Sequence, residues 1–169
     1  MTQALEDAGW VSVDRNVKDT LLTGIAAVMS KKAYLTIPMS ELYLFGRPQD
    51  YGFAHADPLS VAASRHHFRI WKAPWSADTS TVWIGAGTHD IGFDRDQRNN
   101  HLTHKIDPDT DLEREFIAQS LAETGAAVKS AYLAPANPVK TAKTAHGEEF
   151  HSDGRTLILR LRPEDPAVK

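Results

Sequence analysis

The chain of 169 residues contains no cysteine. Disulfides, thiolate zinc sites, iron–sulfur clusters and cysteine nucleophiles are therefore excluded. Long apolar runs are also missing: no stretch free of charged residues exceeds eleven, as in Thr20 to Ser30, whereas a membrane-spanning helix needs about 20 apolar residues. The opening Met1-Thr2-Gln3-Ala4-Leu5-Glu6-Asp7 is acidic where a secretion signal is basic and then apolar. The expectation is a cytoplasmic chain, peripheral to the inner membrane only through a partner. Positive charge is in deficit, with 19 Lys and Arg against 22 Asp and Glu and a net charge of −3. No global basic field is available to hold a nucleic acid. Aromatics make up 8% of the chain, and Trp10, Trp71, Trp75 and Trp83 are assigned to packing.

What is present is an ordinary globular balance of 41% hydrophobic and 24% charged residues, which fits one domain over 1–169. The compositional oddity is histidine. Of eight in the chain, His66, His67, His89, His101 and His104 fall between positions 66 and 104.

Apolar residues at Val17, Leu21, Leu22, Ile25, Val28 and Met29 repeat at helical period and predict a helix over 17–30. A second helix is predicted from Pro108 to about Gly125, with Asp107 as N-cap, Leu112, Phe116, Ile117 and Leu121 on one side, and Gly125 as the stop. Asp109, Asp111, Glu113 and Glu115 then crowd its positive N-terminal end. Alternation and β-branched content predict short strands at 33–37 and 42–45, and a strand over "HHFRIW". A further strand covers "STVWIGAGTHDIGF", joined to the previous one by a turn over Lys72 to Ser80. Leu102 to Ile106 and "TLILRLR" complete the set. The region 134–153 and the tail 163–169 read as loose connections. No helix between Phe45 and Asp107 serves as a crossover, so the expected fold is α+β: a mostly antiparallel sheet of five or six strands packed by two main helices.

Four polar blocks are candidates for chemistry. The first holds Arg47, Gln49 and Asp50; the second Arg65, His66, His67 and Arg69; the third His89 and Asp90; the fourth runs from His101 to Glu115 with His104 and Asp107. Imidazoles and carboxylates in convergence suit a divalent metal with an open position for water, and His66 or His67 with His89, Asp90, His104 and Asp107 would be the ligands. Their spacing matches no local zinc motif, so the metal and its identity stay open. Arginine forks bind phosphate and carboxylate bidentately. The bland reading of the same residues is a buried ring beside an exposed one, helix-end acids and surface ion pairs. No Gly-x-Ser-x-Gly elbow or phosphate loop occurs, and Ser64 is only a serine near a histidine.

At these blocks the chain resembles a known family. "LYLFGRPQD", "SRHHFRIWKAP", "VWIGAGTHDIGF" and "THKIDPDTDLERE", in this order, resemble the LssY carboxy-terminal domain family, a bacterial module associated by name with a type I secretion component. The resemblance runs from Ala8-Gly9-Trp10 through the helix over 108–125. It implies a domain that occurs alone or fused behind membrane-embedded segments, including ones similar to phosphatidic-acid-type lipid phosphatases and to the DedA family. It attaches no reaction to the matching positions, which are Arg47, Gln49, Asp50, Arg65, His67, Arg69, Trp71, His89, Asp90, His104, Asp107, Asp111, Glu113 and Arg114.

Two functions are expected from this set. In one, His89, Asp90, His104 and Asp107 do acid–base work while Arg47, Asp50, Arg65, His67 and Arg69 hold a small anionic, phosphorylated ligand. In the other, the chain is a noncatalytic module that docks onto envelope membrane proteins or a secretion apparatus, with an exposed apolar patch or open sheet edge. Convergence of the four blocks separates the two.

Overall fold

The computed structural model describes residues 1–13, 39–56, 64–95, 100, 102–144 and 147–163. The predicted helix over 17–30 and strand over 33–37 lie outside these residues. The chain divides into two compact units, Val11–Arg95 with Leu102–Ile106, and Met1–Trp10 with Asp96–His101 and Asp107–Lys169. The architecture is α+β, with mostly antiparallel strands and, among the described residues, one substantial helix.

The first of these units carries the main sheet. Its strands are β1 (Val11–Ser12), β4 (Tyr51–Ala56), β5 (Arg65–Ala77), β6 (Ser80–Arg95) and β7 (Leu102–Ile106), hydrogen-bonded in the order β1-β4-β5-β6-β7 and all antiparallel. A hairpin of β2 (Tyr43–Leu44) and β3 (Arg47–Pro48) stands beside them as a separate ladder. The turn predicted over 72–80 is much shorter than expected. Ala77 pairs with Ser80, leaving Asp78-Thr79 as the connection, with Asp78 left-handed at φ 51°. Pro74 misled the reading because proline lacks the N–H a ladder needs. The strand accommodates it in a register shift between Lys72 and Ser76 and then continues.

Register sorts the side chains of this sheet onto two faces. Phe53 lies opposite Phe68, their rings stacked at 5.4 Å, and His55, His66 and His89 line up across three strands on that same face. The other face carries Gly52, Ala54 and Ala56 from β4, Arg69, His67 and Arg65 from β5, and Ala86, Thr88 and Asp90 from β6. Small residues on β4 leave room there for a covering segment. Val13 and Met39 bury themselves against Ala54, and a Cβ on Gly52 would collide with Met39 Cε.

The second unit is built around its helix. Here α1 (Thr2–Asp7) precedes α2 (Thr110–Glu123), β8 (Ala127–Leu133), β9 (Thr141–Lys143), β10 (Glu149–His151) and β11 (Thr156–Leu161). The predicted helix over 108–125 is present but begins later: Asp109, not Asp107, is the N-cap, its side chain accepting from the Asp111 N–H at 3.1 Å. Asp107 instead accepts from the Asp109 N–H at 2.9 Å, two residues earlier in the chain. The inward stripe is also rotated. Glu113 and Leu121 are buried while Leu112 is exposed, and Phe116 packs edge-on to buried Trp10 at 5.9 Å. Trp10 Nε1 donates to Ser120 Oγ at 2.9 Å, again one turn along the same stripe.

The final predicted strand forms as β11, but it pairs with β8 in a two-stranded sheet of its own. Part of the segment read as a loop over 134–153 is a small hairpin, β9 with β10. Its short strands carry too few alternating apolar residues to announce themselves.

Candidate functional site

The polar residues of β5 arrive on one face because Arg65, His67 and Arg69 are two residues apart in an extended strand. Asp90 of β6 sits directly across from Arg65, and Arg65 Nε donates to Asp90 Oδ2 at 3.0 Å. The next contribution comes from β7, beside a bulge. β6 and β7 pair Asp90 with Ile106 and then Gly92 with Lys105, so one extra residue of β6 is inserted there. His104, two residues before Ile106 on β7, shares the face of Asp90, and its Nδ1 comes to 3.5 Å from Asp90 Oδ2. His67 Nδ1 lies 3.6 Å from the same oxygen. One carboxylate oxygen is thus the meeting point of three cationic or titratable side chains.

Burial makes the cluster consequential. Arg65, His67, Arg69 and Asp90 are 2%, 6%, 8% and 1% exposed, whereas the His104 side chain keeps 30% of its surface in solvent. Arg69 donates from Nε to Ser40 O at 2.9 Å, and among the described residues no carboxylate lies within ion-pair distance of it. His67 Nε2 is 3.0 Å from Thr88 Oγ1, while its Nδ1 is buried with no hydrogen-bond partner among the described residues.

These surroundings displace three protonation equilibria. Burial, reinforced by the nearby charges of Arg65, Arg69 and His104, drives the His67 imidazole well below its ordinary range, so the ring is neutral at pH 7. Burial also pushes the Asp90 carboxyl up to about 6 while Arg65 and Arg69 pull the other way, which still leaves it ionised at neutral pH. The Arg69 guanidinium is brought down to about 10 by burial and by Arg65, while Asp90 pulls the other way.

The other candidates lie elsewhere. His89 immediately precedes Asp90 on the strand and so points to the opposite face, where its ring stacks on His66 at 4.1 Å and its Nε2 lies 2.8 Å from Ser64 Oγ. Arg47 and Asp50 pair with each other at 2.6 Å and both engage the backbone of Lys72, Arg47 at its carbonyl and Asp50 at its N–H. Gln49 is buried too, its Oε1 accepting from Leu42 N at 2.8 Å. Asp107, Asp111, Glu113 and Arg114 belong to the helical unit. There Arg114 binds Asp111, Glu115 and Asp153, and Asp111 accepts from Ser152 Oγ and Asp153 N, which ties the N-terminal half of α2 to the 151–155 segment. Among the described residues, no three His, Asp or Glu side chains are grouped to hold a metal ion.

In the sequence Ser64 is only a serine near a histidine, yet in the fold it is the hydrogen-bond neighbour of His89. No motif marks that contact. That Arg69 has no ion-pair partner among the described residues is likewise illegible in the sequence, because composition offers acids in plenty.

The fold and site define an α+β protein whose main antiparallel sheet buries an Arg/His/Asp cluster on one face. A family model, LssY C-terminus, matches residues 1–156, and the chain belongs to the LssY C-terminus family. No curated protein and no solved structure matches it. Among the described residues no helix is long and apolar enough to cross a membrane.

Proposed function

We propose that the sheet face formed by Arg65, His67, Arg69, Asp90 and His104 binds a small phosphate-type anion, with Arg69 as its principal ligand. The observation that carries this reading is Arg69 itself, a buried cation with no ion-pair partner among the described residues, on which Asp90 acts only at longer range. A buried charge without a direct ion-pair partner is costly, and an anion from solution would supply one. The His67 Nδ1 next to it has no hydrogen-bond partner among the described residues and offers a second contact. Arg65, already held by Asp90, adds positive potential.

If the anion is a phosphoester, His104 is the acid–base group of this site. It is the most exposed member of the set, and Asp90 stands behind its Nδ1, an arrangement that orients an imidazole and stabilises its protonated form. Asp107 and His89 take no part in this mechanism.

Calorimetric titration with inorganic phosphate tests the binding step on the wild-type chain and on Arg69→Met. Saturable binding that disappears in the variant is the expected result. Equal binding by both chains would remove the assignment. Hydrolysis of a phosphomonoester panel, repeated on His104→Gln, tests the chemical step: turnover that survives this substitution excludes His104.

A further inference from the structure

The β2–β3 hairpin ends in an arrangement that its own folding does not require. Phe45 and Gly46 form its two-residue turn, with φ 55° and 71°. Two positive φ values in succession are the signature of a type I′ turn, whose first position favours Asn, Asp or Gly. A phenylalanine there is held in a left-handed conformation that its Cβ disfavours. Strain of this kind persists where the surroundings enforce it and the side chain has a use.

The surroundings are explicit. Arg47 Nη2 donates to the Lys72 carbonyl, Asp50 accepts from the Lys72 N–H at 2.6 Å, and Arg47 and Asp50 pair with each other. These contacts clamp the hairpin onto β5 just where it shifts register around Pro74. The outcome is that Phe45 meets Trp75 edge-on at 5.4 Å, and both remain exposed, at 39% and 54%. Tyr43, on the strand leading to the turn, is 67% exposed, and Leu42 before it is 42% exposed. Large aromatics are the side chains a protein hides first, so three of them kept in solvent around one strained turn form an interaction surface.

From this geometry we infer that the Phe45–Trp75 tip enters the interfacial region of a lipid bilayer, carrying Tyr43 with it. Three features favour a lipid surface as the occupant. The side chains are aromatic, and Trp and Tyr combine an apolar ring with one polar atom, which suits the headgroup boundary. The hairpin also pairs backbone groups internally: Leu42 N and Gln49 N are both hydrogen-bonded within it, β2 pairs with β3, and Pro48 has no N–H. A segment entering an apolar medium must meet that condition. Finally, the cation nearest the turn, Arg47, is matched by Asp50 and a carbonyl, so insertion strands no charge from it. With a net chain charge of −3, attraction to anionic lipid is not the driving force, and binding is expected to resist salt.

The test is co-sedimentation of the full chain with vesicles of phosphatidylcholine alone and of phosphatidylcholine mixed with phosphatidylglycerol, at low and high salt. The wild-type chain is expected to bind both, with little loss at high salt. Phe45→Asn places a residue suited to the turn at position 45 and is expected to keep the fold while weakening binding about tenfold, the effect of losing one buried aromatic ring. Trp75→Gln is expected to weaken it similarly and serves as the second variant should Phe45→Asn unfold. Val139→Ser, at an exposed apolar position in the other unit, should change nothing. No wild-type binding to either vesicle would overturn the proposal, as would binding that both tip variants retain or that salt alone abolishes. A chain that ignores vesicles and self-associates instead would assign the tip to a protein contact, and the lipid proposal would fail.

Discussion

His104 Nδ1 lies 3.5 Å from Oδ2 of Asp90, although a bulge interrupts the ladder between their strands. Asp90 pairs with Ile106, and His104, two residues before Ile106 on the unbulged strand, shares that face; the residue inserted in β6 brings Phe93 opposite His104, their rings 5.5 Å apart. The same oxygen accepts from Arg65. Asp90 is accordingly the residue on which both the integrity and the chemistry of the cluster depend.

Asp90→Asn should be severely destabilising. It removes a buried carboxylate from Arg65 at 3.0 Å and from the field that Arg69 and His104 share. Breaking one side of a buried pair typically costs about 3–5 kcal/mol. Urea unfolding of both chains measures the difference, and a loss below about 1 kcal/mol would mean the pair is well solvated.

Arg69→Met is expected to behave in the opposite way. Arg69 is buried, and its pKa is already brought down by the cost of holding its charge there. An apolar side chain of similar length relieves that cost at the expense of the bond to Ser40 O, so stability should be unchanged or slightly higher in the absence of anions. Added phosphate should raise the unfolding midpoint of the wild-type chain and leave that of the variant where it was.

The pH dependence of His67 has a definite sign. Its folded pKa is depressed by burial and by Arg65 and Arg69, while in the unfolded chain it titrates near its ordinary value of about 6.5. Its contribution is complete above that value and is lost as pH falls below it, because only the unfolded chain takes up the proton. Asp90, with a folded pKa of about 6, acts oppositely between its ordinary carboxyl range and pH 6, where its contribution falls as pH rises. A comparison with His67→Gln isolates the histidine. Relative to the variant, the wild-type chain should lose about 1.4 kcal/mol per pH unit below 6.5, measured by urea unfolding from pH 7.5 to pH 5.5. Parallel pH profiles would show that His67 is solvated.

Gly154→Ala should lower the thermal midpoint through the helical unit. Gly154 has φ 82°, and a Cβ there would stand 2.5 Å from Pro138 Cβ. Strain and clash act together, and about 1–3 kcal/mol is expected. Calorimetry against the wild-type chain measures it.

Much of this structure was legible where one physical signal dominated. The alternation in "HHFRIW" correctly divides His66, Phe68 and Ile70 from His67 and Arg69, and Gly125 ends the helix region with φ 69°. Separation of His89 from Asp90 follows from the same two-residue period, although their adjacency in sequence suggested one site. What could not be read were effects of tertiary context. The bulge in β6 that sets Phe93 opposite His104 is marked by nothing stronger than Gly92, and Arg47 with Asp50 looks like a ligand clamp in sequence while in the fold both engage the backbone of Lys72. "AVKSAYL" lacks a clean alternation, and β8 is fixed by its pairing with β11.

The most direct test of the anion site is the imidazole nitrogen spectrum of the ¹⁵N-labelled chain during titration with inorganic phosphate. The account predicts a saturable shift of His67 Nδ1 in the wild-type chain, its loss in Arg69→Met, and no response of His89 in either. A His67 signal that ignores phosphate, or one that responds equally in Arg69→Met, would contradict it.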